Sequence, residues 1–140
     1  MQVYFSHPTF TYQTDTEEFC VDMIRENFNN VKEVVNPLEY GLKKNVRKII
    51  RESDVVVGMA ISGKYTFLVH NEMEDGRKGG ADLYTIRVQN KEKIGKIEKG
   101  MPEEIRKLSR KESNRYTKEL MKENRESFWS LLLGKHNTRF

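Results

Sequence analysis

Cysteine, proline and long apolar runs are scarce in this chain, and each scarcity excludes a class of protein. The 140 residues include one cysteine, three prolines and one tryptophan. A single cysteine cannot form an intrachain disulfide, so a small disulfide-stapled secreted fold is excluded. No stretch approaches the roughly 20 apolar residues that a membrane-spanning helix needs, and the first residues lack a signal-peptide profile. We therefore expect a cytoplasmic protein with no membrane partner.

Several motifs that carry chemistry are also missing. The three histidines are scattered, and no cysteine or histidine cluster has the spacing of a metal site. The first predicted strand is followed by Ser6, His7 and Pro8 rather than by three glycines, which excludes a dinucleotide-binding fingerprint. A Gly-x-Ser-x-Gly elbow is absent as well. We expect no metal and no cofactor, and we expect Cys20, on an apolar helical stripe, to be a buried structural thiol.

Charge is unevenly distributed along the chain, whose net charge is +4. Residues 1–90 have 11 Lys and Arg against 13 Asp and Glu, whereas residues 91–140 have 14 against 8. The basic character therefore belongs to the C-terminal segment, where glutamates are interleaved with the cations as on a solvent-exposed, ion-paired helix. This interleaving leaves nucleic-acid binding as the less favoured alternative for that segment.

Hydrophobic periodicity predicts strands that alternate with helices. Strands are predicted at residues 3–5, 31–35, 54–60 and 81–88, helices at residues 14–28, 42–51 and 66–75, and a glycine-rich turn at residues 76–80. Strands joined by helices of about ten to fifteen residues require right-handed crossovers. The predicted fold class is α/β, with an open, mostly parallel Rossmann-like (flavodoxin-like) sheet flanked by helices.

After Asn90 the pattern changes. Residues 91–100 are a basic connector with a helical turn or short strand around Ile94 and Ile97. Pro102, followed by two glutamates, is predicted to open a long C-terminal helix that reaches about Leu133. We therefore divide the chain into an α/β domain, residues 1–100, and a basic amphipathic helix and tail, residues 101–140. The apolar end of that helix is expected to pack on the core or on another subunit.

Residues 54–72 are the stretch around which a functional site is predicted. An apolar strand ends there at a loop containing Gly63 and Lys64, and the next helix carries Glu72 on its second turn. In open parallel sheets ligands bind over the carboxyl ends of the strands. Tyr4 lies on the neighbouring strand of a doubly wound sheet, and a carboxylate beside a phenol in a cleft suits attack on an anomeric carbon. The plainer interpretation of Glu72 is a solvated helix residue.

Two stretches, residues 3–10 and residues 53–72, share their motif order with a known enzyme family. The first is a strand ending in an aromatic pair, followed by a small residue and an aromatic one. The second is an apolar strand opened by Asp, then a glycine loop, then a helix bearing a Glu. In these features the chain resembles the nucleoside 2-deoxyribosyltransferase family and its N-glycoside hydrolase relatives over about residues 1–90.

The resemblance implies that Glu72 is the nucleophile that attacks a nucleoside or nucleotide and that Tyr4 orients it. His7, at the same strand end, is the candidate proton donor to the leaving base. The predicted substrate-binding residues are Ser6, Gly63, Lys64, Thr66 and Asn71. Members of the family commonly assemble as oligomers, so we also expect a homo-oligomer.

One departure from the family pattern keeps alternatives open. The family usually carries an acidic residue about eight positions before the strand-opening Asp, where this chain reads Lys44-Asn45-Val46. The family's acids at such positions steady the sugar hydroxyls and protonate the departing base. A transferase, a hydrolase with an altered substrate, and a nucleotide- or nucleic-acid-binding protein without catalysis are therefore the three alternatives.

Overall fold

The computed structural model describes residues 1–35, 46–90 and 93–123. The strands are β1 (Gln2–Ser6), β2 (Glu33–Val35), β3 (Val55–Ile61), β4 (Lys64–Tyr65), β5 (Asp82–Asn90), β6 (Lys93–Ile94), β7 (Glu98–Lys99) and β8 (Arg106–Lys107). The helices are a 3₁₀ turn at Thr9–Thr11, α1 (Asp15–Asn27), α2 (Val46–Glu52), α3 (Phe67–Lys78) and α4 (Arg110–Glu123). No helix in these ranges is long and apolar enough to cross a membrane.

Four parallel strands form the centre of the sheet in the order β2-β1-β3-β5. β3 pairs with β5 over its whole length, from Val55 opposite Asp82 to Ile61 opposite Val88. Numbered along the chain, this is the 2-1-3-4 order of flavodoxin-like sheets, which places β1 and β3 side by side in the middle. The predicted fold class, an open and mostly parallel Rossmann-like α/β sheet, is confirmed.

Side-chain caps set the start of the two helices that flank the site. Thr14 accepts a hydrogen bond from the backbone N–H of Glu17, and the first turn of α1 is acidic, which favours the helix dipole. The predicted start of this helix at residue 14 or 15 is confirmed. Thr66 caps α3 in the same way, because its hydroxyl accepts from the N–H of Val69.

The apolar core lies on both faces of the sheet. Every residue of β3 is buried, as expected of a central parallel strand covered on both sides. Alternate side chains point to opposite faces, so Val57 packs in one cluster with Cys20 and Ile24 of α1. Val56 packs on the other face among residues of α2 and α3. Cys20 is buried, and burial raises the pKa of its thiol to about 12, which fits the predicted structural role.

Gly58 allows α3 to lie close to the sheet. A Cβ atom at residue 58 would sit 2.2 Å from Sδ of Met73, far inside the contact distance of real atoms. Gly76 has the same role further along α3, where a Cβ would lie 2.5 Å from Cγ2 of Val56. These two glycines therefore permit α3 to pack closely on β3, in the part of the helix where Glu72 precedes Met73.

A tight hairpin follows β3 and was not predicted. Ser62 and Gly63 have φ angles of 50° and 74°, so both central residues of this two-residue turn are left-handed, as a type I′ turn requires. β4 then pairs antiparallel with the end of β3, and β8 extends the sheet beside β4. The loop predicted around Gly63 is confirmed, but it leads into a short strand before α3 begins.

The predicted helix start at Pro102 is wrong. Residues 102–109 instead form a turn and β8, and α4 begins at Arg110. Ile105 and Leu108 are buried in this segment, because β8 pairs with β4 and draws them under the sheet edge. The N-terminus of α4 is a capping box, in which Ser109 and Glu112 exchange backbone-to-side-chain hydrogen bonds of 3.1 Å.

Several other predicted bounds shift. α3 continues through Gly76 to Lys78, so the predicted turn is confined to Gly79 and Gly80. Of the two alternatives predicted around Ile94 and Ile97, a helical turn or a short strand, the structure has a short strand, β6, at Ile94. The predicted helix residues 42–45 and the apolar end of the tail, residues 128–133, lie outside the described residues.

Candidate functional site

The carboxyl end of β1 and the second turn of α3 meet at Glu72. Ser6 is the last residue of β1, which lies directly beside β3 in the sheet. The chain leaves β3, turns through the hairpin and enters α3. This helix packs on the face of the sheet to which the side chain of Tyr4 points. Glu72 is 8% exposed there and is followed by the fully buried Met73. The interpretation of Glu72 as a solvated helix residue is therefore wrong.

Two hydroxyl groups hold the carboxylate of Glu72. The phenol of Tyr4 donates to Oε2 at 2.8 Å, and the hydroxyl of Ser6 donates to Oε1 at 2.7 Å. Tyr4 and Ser6 are both fully buried, and they alternate with Phe5 so that they point to the same face of β1. Each carboxylate oxygen thus has its own donor, which fixes the orientation of the group before any ligand binds.

Burial and hydrogen bonding act in opposite directions on Glu72. Removal from water raises the pKa of the Glu72 carboxyl, the hydrogen bonds from Ser6 and Tyr4 lower it, and the charge of Asp75 raises it again; the net pKa is raised. Burial, and secondarily the charge of Glu72, raises the pKa of Tyr4 as well. Tyr4 therefore keeps its proton at neutral pH and acts as a hydrogen-bond donor rather than as a base.

Tyr12 is a member of the site that the sequence did not reveal. Its half-buried phenol has a raised pKa, caused first by burial and then by the charge of Glu72, so it lies within electrostatic reach of that carboxylate. Its ring packs against His7, with ring centroids 4.3 Å apart. The signal that could have drawn attention to Tyr12 is its place in the loop that follows β1, at the same strand end as Ser6.

His7 belongs to the interior of the β1–α1 loop. Its ring is stacked on Phe5 at 4.4 Å, and its Nδ1 lies 2.7 Å from the hydroxyl of Thr11. Because that hydroxyl donates its own hydrogen to the carbonyl of Pro8, Nδ1 is the atom that carries the histidine proton. Oε2 of Glu17 lies 3.3 Å from Nε2. Burial lowers the pKa of His7 to about 3, against the smaller raising effect of a hydrogen bond with the backbone of Pro8. A buried neutral imidazole argues against the role of proton donor.

The remaining predicted binding residues are dispersed. Gly63 is in the exposed hairpin turn, and Thr66 is used as the cap of α3. The ammonium of Lys64 lies 4.8 Å from the ring centroid of Tyr116 on α4. Asn71 is exposed on α3. Of the predicted set, the structure brings Tyr4, Ser6 and Glu72 into direct contact.

A groove of about 390 Å³ lies over the start of α3. It is bordered by the loop after β1, the first turn of α3 and one side of α4. The lining residues are Pro8, Thr9, Phe10, Thr66, Phe67, Leu68, Arg110, Ser113, Asn114, Thr117 and Lys118. Its volume falls within the range of roughly 300–1,000 Å³ typical of small-molecule sites.

The side chains that contact one another in the site are two hydroxyls, of Tyr4 and Ser6, and the carboxylate of Glu72. Among the residues that the structure describes, no group of three or more His, Cys, Asp or Glu side chains could hold a metal ion. Comparisons of the chain with protein-family models, with curated proteins and with solved structures found no match. The function must therefore be argued from the site itself.

Proposed function

We propose that the protein cleaves the N-glycosidic bond of a nucleoside or nucleotide, or transfers its 2-deoxyribosyl group, with Glu72 as the nucleophile. The observation that carries this proposal is the pair of hydrogen bonds from Tyr4 and Ser6 to the buried carboxylate of Glu72. Carboxylates oriented in this manner are the nucleophiles of retaining glycoside chemistry. The order of motifs around Tyr4 and Glu72, which resembles that of the deoxyribosyltransferase family, supports the same assignment.

The proposed reaction has two steps. In the first, an oxygen of Glu72 attacks C1′ of the sugar, the C1′–N bond breaks, and its electron pair leaves with the base, which takes a proton from solvent. The transition state resembles an oxocarbenium ion, and the negative carboxylate stabilises it. In the second step water, or a second base, attacks C1′ and releases Glu72.

The hydroxyl donors are suited to this cycle. They hold the attacking group in place, so less entropy is lost on reaching the transition state. As the ester forms, the negative charge on Glu72 disappears and the hydrogen bonds from Tyr4 and Ser6 weaken; they strengthen again when the carboxylate departs. Burial acts in the opposite direction: it raises the pKa of Glu72 by leaving the carboxylate poorly solvated, and formation of the neutral ester removes that poorly solvated charge.

The test is release of free base from deoxynucleosides and deoxynucleoside monophosphates by the purified full-length protein. We expect Glu72→Gln to lower the rate by at least about 10³-fold, as loss of a nucleophile commonly does. Glu52→Gln, at an exposed position on α2, is the matched control and should keep the wild-type rate. Base release that survives Glu72→Gln unchanged would refute the assignment.

A further inference from the structure

The groove over the start of α3 begins one helical turn from the reacting group. Leu68, which lines the groove, precedes Glu72 by four residues and so shares a face of α3 with it. Because side chains of a helix tilt toward its N-terminus, the carboxylate of Glu72 reaches toward this first turn. On the other side, Pro8 lines the groove two residues after Ser6, which bonds Glu72. Tyr4, Ser6 and Glu72 do not line the groove themselves; the groove adjoins the buried carboxylate through Leu68 and Pro8. A substrate attacked by Glu72 would have to pass between these neighbours, and the rest of it would lie in the groove.

The charged side chains that line the groove are all positive. Among its described lining residues, Arg110 and Lys118 are charged and none is acidic. Both cations are exposed, and they stand two turns apart on the same side of α4. The guanidinium of Arg110 lies 4.9 Å from the ring centroid of Phe67, which holds its planar head beside the mouth of the groove. A groove of this charge fits an anionic group.

The rest of the lining suits the neutral portion of a nucleotide. Phe10, Phe67 and Leu68 offer apolar and aromatic surface on which a sugar or a base can pack. Asn114 and Thr117 add hydrogen-bonding groups between the two cations. The first amide of α3 is already occupied, since the N–H of Phe67 donates to the hydroxyl of Ser113 at 2.5 Å. Recognition of the anion therefore depends on side chains of α4.

Lys64, which the sequence suggested as the partner of a phosphate, is not among the groove residues. It lines a second concavity with Arg106, Arg115 and Tyr116, formed by a different stripe of α4. One cation there, Arg106, is already bonded to Glu112. Two acidic residues, Glu112 and Glu119, also line this second concavity and make it a poorer site for an anion than the first.

We infer that Arg110 and Lys118 bind a phosphate group of the substrate, so that the substrate of the Glu72 site is a phosphorylated nucleoside rather than a free one. This inference rests on the proposed function, which places the sugar at Glu72. It assigns a specificity role to α4, an element outside the residues that resemble the deoxyribosyltransferase family.

Binding is measured by calorimetry at low salt on the full-length Glu72→Gln variant, which is expected not to turn over its ligand. The probes are deoxyadenosine, its 5′- and 3′-monophosphates, and inorganic phosphate. We expect at least one monophosphate to bind about tenfold or more tightly than deoxyadenosine, because charge-assisted hydrogen bonds to phosphate are the strong ones. Equal affinity for the nucleoside and both monophosphates would overturn the inference.

Three further substitutions, each made in the Glu72→Gln protein, test which cations of α4 cause the preference for the monophosphate. Arg110→Gln and Lys118→Gln should each remove most of the preference for the monophosphate and leave deoxyadenosine binding unchanged. Lys111→Gln is the control, because Lys111 is an exposed cation of α4 outside the groove. If Lys111→Gln weakens binding as much as Arg110→Gln, or if a single-stranded oligonucleotide binds more tightly than either monophosphate, α4 is a general nucleic-acid surface and the inference is wrong.

The outcomes separate this inference from the proposed function. If the monophosphate binds in an Arg110-dependent manner and the wild type releases no base, the phosphate site stands and the proposed reaction fails. If the wild type releases base equally fast from deoxyadenosine and from its monophosphates, the reaction stands and the phosphate site fails.

Discussion

Glu72 is a buried acid whose two hydroxyl donors only partly replace the water it has lost. The bonds from Tyr4 and Ser6 would by themselves lower its pKa, yet the net pKa is raised. A raised carboxyl pKa means that the folded protein binds this proton more tightly than the unfolded chain does. Ionised Glu72 therefore costs folding free energy, as is common for residues placed for reaction rather than for stability.

The pH dependence of stability follows from that shift. Below the ordinary glutamate pKa of about 4.3, Glu72 is protonated in both states and has no net effect. As the pH rises toward the raised pKa of the folded state, the wild type loses stability that Glu72→Gln keeps. We expect the stability of the variant relative to the wild type to increase as the pH rises from 4 to 7.

Urea unfolding at a series of pH values measures this difference. Glu52→Gln, at an exposed site, should give no pH-dependent difference from the wild type. A stability difference between wild type and Glu72→Gln that stays constant from pH 4 to pH 7 would show that the hydroxyl bonds fully offset burial and that the pKa is not raised.

At the residue scale, the sequence predicts the pairing of Tyr4 with Glu72. It does not predict the neighbouring side chains contributed by the loop after β1. The pairing follows from strand order, since β1 and β3 must be neighbours in a doubly wound sheet. Tyr12 and the buried position of His7 depend on how the loop after β1 folds back, and that path carries no periodic signal. The role expected of Lys64 is not supported, because the two-residue turn sends its side chain toward α4.

At the element scale, the placement of Glu72 depends on how closely α3 approaches β3. Gly58→Ala would put a Cβ 2.2 Å from Sδ of Met73, next to Glu72 in the chain. We expect a loss of about 1–3 kcal/mol, the usual cost of overpacking a core, because the Met73 side chain must rearrange, and a lower rate of base release to the extent that α3 shifts with it. Chemical denaturation and the base-release assay measure the two effects.

Gly95→Ala is the matched control for that substitution. The Cβ added there would meet the carbonyl oxygen of Arg87 at 3.4 Å, an ordinary contact, and the residue is exposed. We expect a change within about 0.5 kcal/mol and an unchanged rate. If Gly58→Ala is as mild as Gly95→Ala, the close approach of α3 does not position Glu72.

The elements divide into those with a periodic signal and those without one. β3 and α1 are long enough for their apolar pattern to be recognised, and their predicted bounds agree with the structure within one or two residues. β4 and β8 have two residues each; they exist because β4 pairs with the end of β3 and β8 pairs with β4. Pro102 and its glutamates mimic a helix start, but the backbone of Arg106 and Lys107 pairs with β4 instead.

At the scale of the whole molecule, the sheet order brings the reacting group and the groove to one edge. The ends of β1 and β3 place Ser6 and the start of α3 side by side, and α4 closes the groove from outside. In the proposed reaction the α/β part of the chain would supply the nucleophile, Glu72, and α4 would supply the positive charge. This division could be predicted in outline from the change in composition after residue 90, but the contact of α4 with α3 could not.

The most direct test of the account is to trap the sugar on the nucleophile. A 2′-fluorine destabilises the oxocarbenium-like transition states of both steps, and a 2′-fluorinated deoxynucleotide with an activated leaving base keeps the first step fast enough for the intermediate to accumulate before acid quenching. After trypsin digestion, tandem mass spectrometry of the peptide bounded by Lys64 and Arg77 should show the mass of the fluorinated sugar phosphate on Glu72. An adduct on any other residue of that peptide, or base release from the unfluorinated nucleotide with no adduct at Glu72, would contradict the central claim.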